Sequence, residues 1–507
     1  VPGRGGSLAA PRRWVGRTAP LTGWPAGGDY SRADSFTLLV LAKLLASVPA
    51  HRLHAGLQLL GVWSSAWAAE AFARALGARA PWSMLSGIGF AFSGLAAAAL
   101  LEGHVYHLVN PWLPGVAWAT CRATSPGARV GHGVAAAVCW CLCLATTAYL
   151  GIAATLLVVG LGAGNLYRRP VPWAPCLAAT AIALPVGLLY VAFFLQGSSA
   201  PVPFQEAGLS RAAFLVDGSA HLRHLAGPSA SLDLSGHSRG ATLSATVLAL
   251  CLVAPRLLRS SAHWRVLLGT GVAALVLGLG PGLVLVNQSI IGLPLALVAL
   301  VPGSELLRFP VRLLWVWFLC GSTVAALTLS AMVQNLGSAR RGLLHGSLLM
   351  ACLLVDVFAV VRLPLRQQVQ SVTTPSAYLS GEGPVLDLYP EVLGTRVDWS
   401  QWFQGLACLY QVGHGRAIAD HCVVTHPESN PRTRLTRQVT ADLLSERTQQ
   451  VSGQLRDLGY TAIAWHPDLF QPGDRVRLAR SLDVLDSEPV RSTDGAEHVV
   501  VYRLENG

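Results

Sequence analysis

Acidic side chains are scarce over the first 361 positions of this 507-residue chain, which hold nine: Asp29, Asp34, Glu70, Glu102, Glu206, Asp217, Asp233, Glu305 and Asp356. With 12% of all residues charged and 52% hydrophobic, a soluble enzyme of this length is excluded. No CxxC pair or Cys/His cluster at zinc spacing occurs, which excludes a zinc module. No repeat of solenoid period is present. The net charge of +11 comes without a basic groove of interleaved aromatics, so no nucleic-acid partner is indicated. Neither an initiator methionine nor a signal-peptide pattern opens the chain. Its first 35 residues are rich in Gly, Pro and Arg and read as a loop, so we expect at least one helix upstream of Val1.

What fills the space between the few charges is long apolar runs. Residues 1–361 carry a net +14 and the remainder −3, with the positive charge gathered between apolar segments. A helical crossing of a bilayer needs about 20 apolar residues, and its backbone must satisfy its own hydrogen bonds. The fold class expected is an α-helical polytopic membrane protein with about ten transmembrane helices and a C-terminal extracytoplasmic α/β domain. Candidate spans lie at 53–75, 82–101, 105–121, 130–147, 149–166, 173–195, 241–259, 265–286, 309–333 and 343–361. A shorter apolar piece at 290–301 reads as re-entrant, and 36–48 as an interfacial helix.

Arginine sets the expected orientation. Arg74/Arg79, Arg122/Arg129, Arg168/Arg169, Arg256/Arg259/Arg265 and Arg340/Arg341 mark five loops, and alternating crossings put all five on one side. The positive-inside rule makes that side cytoplasmic. The run 130–166 then has to be two short crossings turning near Thr146–Tyr149, because one helix would separate Arg129 from Arg169. Residues 1–35, 197–240 and 362–507 come to lie outside. The domains expected are an outer loop with its interfacial helix (1–52), a transmembrane domain (53–361) and an α/β tail (362–507). In the tail, 385–388, 462–465 and 499–502 are strand-like, while 399–412 and 438–458 have helical spacing.

Most of the ten cysteines (Cys139, Cys141, Cys143, Cys176, Cys251, Cys320, Cys352) lie within apolar runs and act as small hydrophobes. Cys408 and Cys422 fall in the tail, where an outer location permits a disulfide and two free thiols are the alternative.

Several stretches, in order along nearly the whole chain, resemble the GT-C superfamily of membrane glycosyltransferases, most closely its bacterial YfhO-like branch. They are Gly23-Trp24-Pro25-Ala26-Gly27-Gly28-Asp29; Ala91-Phe92-Ser93-Gly94 through Glu102-Gly103-His104, with Asn110-Pro111-Trp112-Leu113-Pro114; and Leu307-Arg308-Phe309-Pro310-Val311-Arg312. In the tail they are Val385-Leu386-Asp387-Leu388-Tyr389-Pro390 with Gln411-Val412-Gly413-His414-Gly415-Arg416-Ala417-Ile418, and Leu458-Gly459-Tyr460. The resemblance implies a transferase that moves a sugar from a polyprenyl-phosphate donor to a glycan or lipid acceptor on the outer face of the cytoplasmic membrane. It also implies an acidic base early in the first outer loop, soon after a first helix that would lie upstream of Val1.

Such a reaction requires a carboxylate for the acceptor, cations for the leaving phosphate and a groove for the isoprenoid. Asp29, Asp34, Glu102, Glu206, Asp217, Asp233 and Glu305 fall in expected outer loops. Glu102 ends a span and is followed by His104 and His107, so it and His104 are catalytic candidates; the competing reading is a solvated helix end. Asp29 and Asp34 are further candidates, or they solvate the loop and start the helix near Ser35. Arg308 and Arg312, spaced i,i+4, share a helix face and form a candidate clamp for the donor phosphate. The competing reading is snorkelling to lipid phosphates. Glu70 and Asp356 lie within spans and are expected to be paired or to snorkel. No cofactor is indicated, although a divalent metal is compatible with the acids. A transporter or flippase, or a non-catalytic scaffold, are the rival classes; a transporter calls for inverted repeats and mid-membrane ion pairs.

Overall fold

The computed structural model describes residues 18–19, 28–29, 44–45, 48, 50–101, 110–166, 172–196, 243–259, 263–280, 282–285, 288–292, 294–298, 310–336, 339–361, 375–380, 382–388, 431–486, 488–493 and 498–504. The chain divides into two compact units: Val1–Ala33, Ser198–Pro203 and Arg366–Gly507 form one, Asp34–Gly197 and Phe204–Leu365 the other.

The second unit is helical. Its described helices are α1 (Ala50–Ala75), α2 (Met84–Ala91), α3 (Gly94–Leu101), α4 (Trp112–Ala123), α5 (Val130–Thr146), α6 (Ala148–Leu166) and α7 (Trp173–Gln196). There follow α8 (Ala245–Leu257), α9 (His263–Gly278), the short α10 (Leu295–Val298), α11 (Leu314–Asn335, entered through a 3-10 turn at Pro310–Leu313) and α12 (Ala339–Val361). Among the described residues three helical stretches, Ala148–Asn165, Trp173–Tyr190 and Pro310–Asn335, are long and apolar enough to cross a membrane. Four more, including Val130–Thr146 and His263–Gly278, are apolar but shorter.

Three expected spans differ from what is observed. In 105–121 the described helix starts at Trp112, and Asn110 and Pro111 before it are not helical. The segment 82–101 is broken at Phe92–Ser93, where Ser93 Oγ accepts from the Ala96 N–H at 3.4 Å and caps a new helix. The segment 265–286 is helical only to Gly278. Gly280, at φ +82°, stops it, as a left-handed glycine commonly does. Beyond it Gly282–Leu285 (β3) and Gln288–Gly292 (β4) form an antiparallel hairpin, so the apolar piece expected to be re-entrant begins as a strand and continues as α10. The expected interfacial helix at 36–48 lies almost wholly outside the described residues. The run 130–166 is two helices, parted at Thr147, whose backbone is extended.

Close helix contacts sort the ends of this bundle. The Arg79 N–H donates to Ser330 Oγ at 3.1 Å, bringing the α1–α2 loop to the end of α11. Asn165 Nδ2 donates to Thr124 Oγ1 at 3.0 Å, bringing the end of α6 to the α4–α5 loop. Gly164 faces Val266, Gly133 faces Pro175 and Gly342 faces Val333, so the starts of α9, α5, α7 and α12 share that end. Arg74, Arg79, Arg122, Arg129, Arg265 and Arg341 are therefore gathered together. Gly278 meets Leu314 and Pro310, which puts the end of α9 beside the start of α11 at the opposite end. Glu70 is paired as expected: Arg74 lies 3.9 Å from it, and Ser83 Oγ donates to it at 3.2 Å.

The first unit contains a two-residue pairing of β1 (Thr18–Ala19) with β2 (Gly28–Asp29). It also contains a four-stranded sheet of β5 (Val385–Leu388), β6 (Ala462–Trp465), β7 (Val490–Ser492) and β8 (Val499–Arg503), in the order β5-β6-β8-β7. β5 and β6 are parallel; the other pairs are antiparallel. Alternation along the strands gives the sheet two buried faces. Leu386, Leu388, Ile463, Trp465, Val500 and Tyr502 meet α13 (Pro431–Leu444), α14 (Thr448–Asp457) and α15 (Pro472–Asp483) through Val439, Leu443, Val451, Leu455, Leu478 and Leu482. Val385, Ala462, Ala464, Val499 and Val501 face Ala377 and Tyr378 of a 3-10 turn at Ser376–Ser380. The helical spacing at 438–458 resolves into two helices, because Glu446 at φ +59° breaks the run. The helix expected at 399–412, and Cys408 and Cys422, lie outside the described residues.

Two outcomes follow from these contacts. A Cβ on Gly133 would fall 1.9 Å from the Pro175 carbonyl oxygen, whereas one on Gly131 meets nothing within 4 Å. Gly133→Ala should therefore lose about 1–3 kcal/mol and Gly131→Ala less than about 0.5 kcal/mol, read by thermal unfolding of the solubilised chain. In the tail, burial and the neighbouring Asp483, which accepts the Tyr502 hydroxyl proton at 3.2 Å, push the Tyr502 hydroxyl above the ordinary value of 10.0. A raised folded value favours the neutral form in the native state. Its stabilisation is full below pH 10 and is lost as pH climbs further. Tyr502→Phe should flatten the alkaline limb of a pH–stability profile.

Candidate functional site

The end of the bundle away from the arginine-bearing loops carries a buried cation. The 3-10 turn Pro310–Leu313 leads into α11, and all four of its residues are buried, Arg312 being 9% exposed. Pro310 sits at the head of this helical stretch, where a missing N–H costs nothing. The guanidinium carbon of Arg312 lies 4.5 Å from the centre of the Tyr149 ring. Tyr149 is the second residue of α6, just past the Thr147 break. The break and the turn thus bring together two residues 163 positions apart.

A cation over an aromatic face is held by the ring quadrupole, more strongly where water is excluded. Arg312 is therefore set among protein groups and does not reach out to lipid. The guanidinium is a planar fork of donors, a shape that matches phosphate.

The other expected site residues are only partly placed. The backbone of Asp29 pairs with Thr18 in β2. Asp34, Glu102, His104 and Arg308 lie outside the described residues. Among the described residues no three His, Cys, Asp or Glu side chains come together to hold a metal ion.

The tail contains a second polar cluster that was not anticipated. Tyr378 Oη donates to Asp387 Oδ1, and His466 Nε2 lies 3.2 Å from Tyr378 Oη and 3.4 Å from Asp387 Oδ1. All three residues are at most 5% exposed. Asp387 is in β5 opposite Ala464, and His466 follows β6, so both sit on one sheet face near the carboxyl ends of two parallel strands. The two-residue period of 462–466 aligns Ala464 with His466, but nothing in the sequence joins either to β5. The cluster ties the 3-10 turn to the sheet.

No known protein family matches the sequence, and no curated protein does. Solved structures do. The arabinofuranosyltransferase AftD from mycobacteria is similar over 99% of this chain and 39% of its own length, at 16% identity and a TM-score of 0.54. The archaeal oligosaccharyltransferase AglB from Archaeoglobus fulgidus, solved with an inhibitory peptide and a dolichol-phosphate, aligns over 97% of this chain and 68% of its own, at 9% identity and a TM-score of 0.45. The chain thus spans well under half of AftD, and at this identity the similarity to AftD concerns the fold alone.

The Arg312–Tyr149 contact is testable by a double-mutant cycle. Tyr149→Phe keeps the ring and should preserve the coupling to Arg312. Tyr149→Ala and Arg312→Leu should be coupled by roughly 0.5–2 kcal/mol in thermal unfolding.

Proposed function

We propose that this chain is part of a membrane glycosyltransferase that moves a sugar from a polyprenyl-phosphate donor to a cell-envelope glycan or lipid acceptor. The observation that carries the reading is the buried Arg312, at the end of a GT-C-type bundle away from its arginine-rich loops. Charge that faces the cytoplasm is expected at the other end, and a guanidinium fork placed here is of the shape that recognises phosphate.

In this reading the arginine-rich end faces the cytoplasm. The loop at 1–52 and the tail at 362–507, which flank the transmembrane domain at 53–361 in sequence, both lie outside the inner membrane of a bacterium, as in the YfhO-like branch. Arg308 and Arg312 hold the donor phosphate and offset the negative charge that grows on it as the glycosidic bond breaks. Glu102, Asp29 or Asp34 takes the acceptor proton, with His104 beside Glu102 as a second acid–base group. Removing a general base costs about 100- to 10,000-fold in turnover.

The test is sugar transfer by the purified full chain in lipid nanodiscs, from a panel of polyprenyl-phosphate sugars to envelope lipid extract. Glu102→Gln should lose at least about a hundredfold in kcat, while Arg308→Gln and Arg312→Gln should mainly raise the KM for donor. Wild-type turnover in Glu102→Gln, Asp29→Asn and Asp34→Asn alike would overturn the acid assignment. No transfer from any donor would overturn the activity.

A further inference from the structure

Helix α1, at 26 residues, is long enough to cross a bilayer, yet it is not among the described stretches apolar enough to do so. Gln58, Ser64, Ser65 and Glu70 dilute its apolar residues. One side of it packs into the bundle through Ser65, Ala69, Phe72 and Ala73. The opposite side carries Gly56, Leu59, Trp63, Trp67, Glu70 and Arg74, all exposed or half-buried. They follow one another at steps of three, four, four, three and four. The average step is the 3.6-residue turn of a straight helix, so the stripe runs along one side of α1 for most of its length.

The depth of the two tryptophans makes this stripe a poor face for lipid. Arg52 and Arg74 are 22 residues apart, about 33 Å along the helix axis and close to the ~30 Å of a hydrocarbon core. Trp63 is halfway between them, and Trp67 is one turn nearer Arg74. They are 68% and 65% exposed, and neither indole N–H has a hydrogen-bond partner among the described residues. Tryptophan favours the headgroup level, where its N–H finds a partner. Helix α7 shows the contrast. Its large exposed residues include Leu177, Leu184, Leu188 and Leu189, while its tryptophan, Trp173, stands at its very start.

We propose that this stripe is the interface of a dimer of this chain, in which two copies of α1 pack in parallel about a two-fold axis along the membrane normal. Copies of one chain share one orientation in the membrane, so like residues meet at one depth. Trp63 and Trp67 of each copy pack on those of the other. A Cβ on Gly56 would meet nothing within 4 Å, so the backbones can close in there. The charges select a second copy as the occupant. Glu70 is the one acid of α1, and the five arginine-bearing loops contain none. Arg74 stands 3.9 Å from Glu70 of its own chain, beyond hydrogen-bond distance, and its side chain is 60% exposed. A two-fold axis brings each Arg74 beside the Glu70 of the other copy, so one sequence supplies two reciprocal ion pairs. Hydrocarbon offers Glu70 no such partner. The inference is independent of the transferase reading.

Cysteine cross-linking of the full chain in liposomes tests it. Leu59→Cys, oxidised with copper phenanthroline, should give a band of twice the chain's mass. The unsubstituted chain, with its ten native cysteines, and Leu189→Cys on α7 should not. Energy transfer between labelled copies at increasing lipid dilution should show Trp63→Ala/Trp67→Ala dissociating at least about tenfold more readily than wild type. Glu70→Arg and Arg74→Glu should each weaken self-association, and an equimolar mixture of the two should restore it, because opposite charges then face each other across the axis. Energy transfer in the wild type no higher than that of randomly placed monomers overturns the dimer. So does a Leu189→Cys band as strong as that of Leu59→Cys, or a mixture that associates no better than its components. A Leu59→Cys band at any other mass identifies a different partner for the stripe and overturns the proposal equally.

Discussion

The helical unit depends on one helix that has no outward face. From Leu314 to Ser330 every residue of α11 is buried, so its neighbours surround it on all sides. A helix hydrophobic all round has to be the centre of something. Inside a bilayer the surrounding helices gain nothing by leaving lipid for protein, and association relies on close backbone approach and fitted contacts. Small residues allow that approach. A Cβ on Gly89 would come within 2.9 Å of Ser322, and one on Gly271 would lie 3.1 Å from Cys320. Polar groups on the pillar are absorbed locally: Ser322 and Thr328 donate to carbonyls one turn back, and Ser86 bonds Thr323 across the α2 contact.

Because α11 is held along its length, its two ends become fixed reference points. At one, Ser330 receives the Arg79 N–H, and the loops carrying positive charge collect around it. At the other, the turn before the helix delivers Arg312 onto Tyr149. The bundle is thereby polarised by its arginines. Arg312 lies apart from them and is buried, and burial of a cation has to be compensated by what surrounds it. In the proposed reaction such a pillar would present its cation to the donor phosphate without having to be assembled first.

The apolar runs made the helices legible, because a crossing segment has a length imposed by lipid. The Arg129–Arg169 constraint likewise required a turn near Thr147. The breaks were not legible where a hydroxyl or a glycine acts within an unbroken apolar run. Ser93 and Gly280 interrupt helices without changing local hydropathy, and the β3–β4 hairpin is as apolar as the span it replaced. Strands β5, β6 and β8 were visible from composition, whereas β7 is three residues long and half-buried. Of the site, the depth of Arg312 could be inferred from topology, but its neighbour Tyr149 could not, since sequence periodicity reports the faces of one helix and not which helix lies opposite.

The order of strands in the tail has a consequence for how the protein is made. β8 lies between β6 and β7, yet it is translated after both. Until Val499–Arg503 has left the ribosome, β6 has an open edge and β7 has nothing to pair with. β5 must also wait for β6 across more than seventy residues, a long loop to close. The sheet is therefore completed late, from its middle, and a nascent chain stalled before Val499 carries an unpaired apolar edge of the kind that aggregates or attracts chaperones.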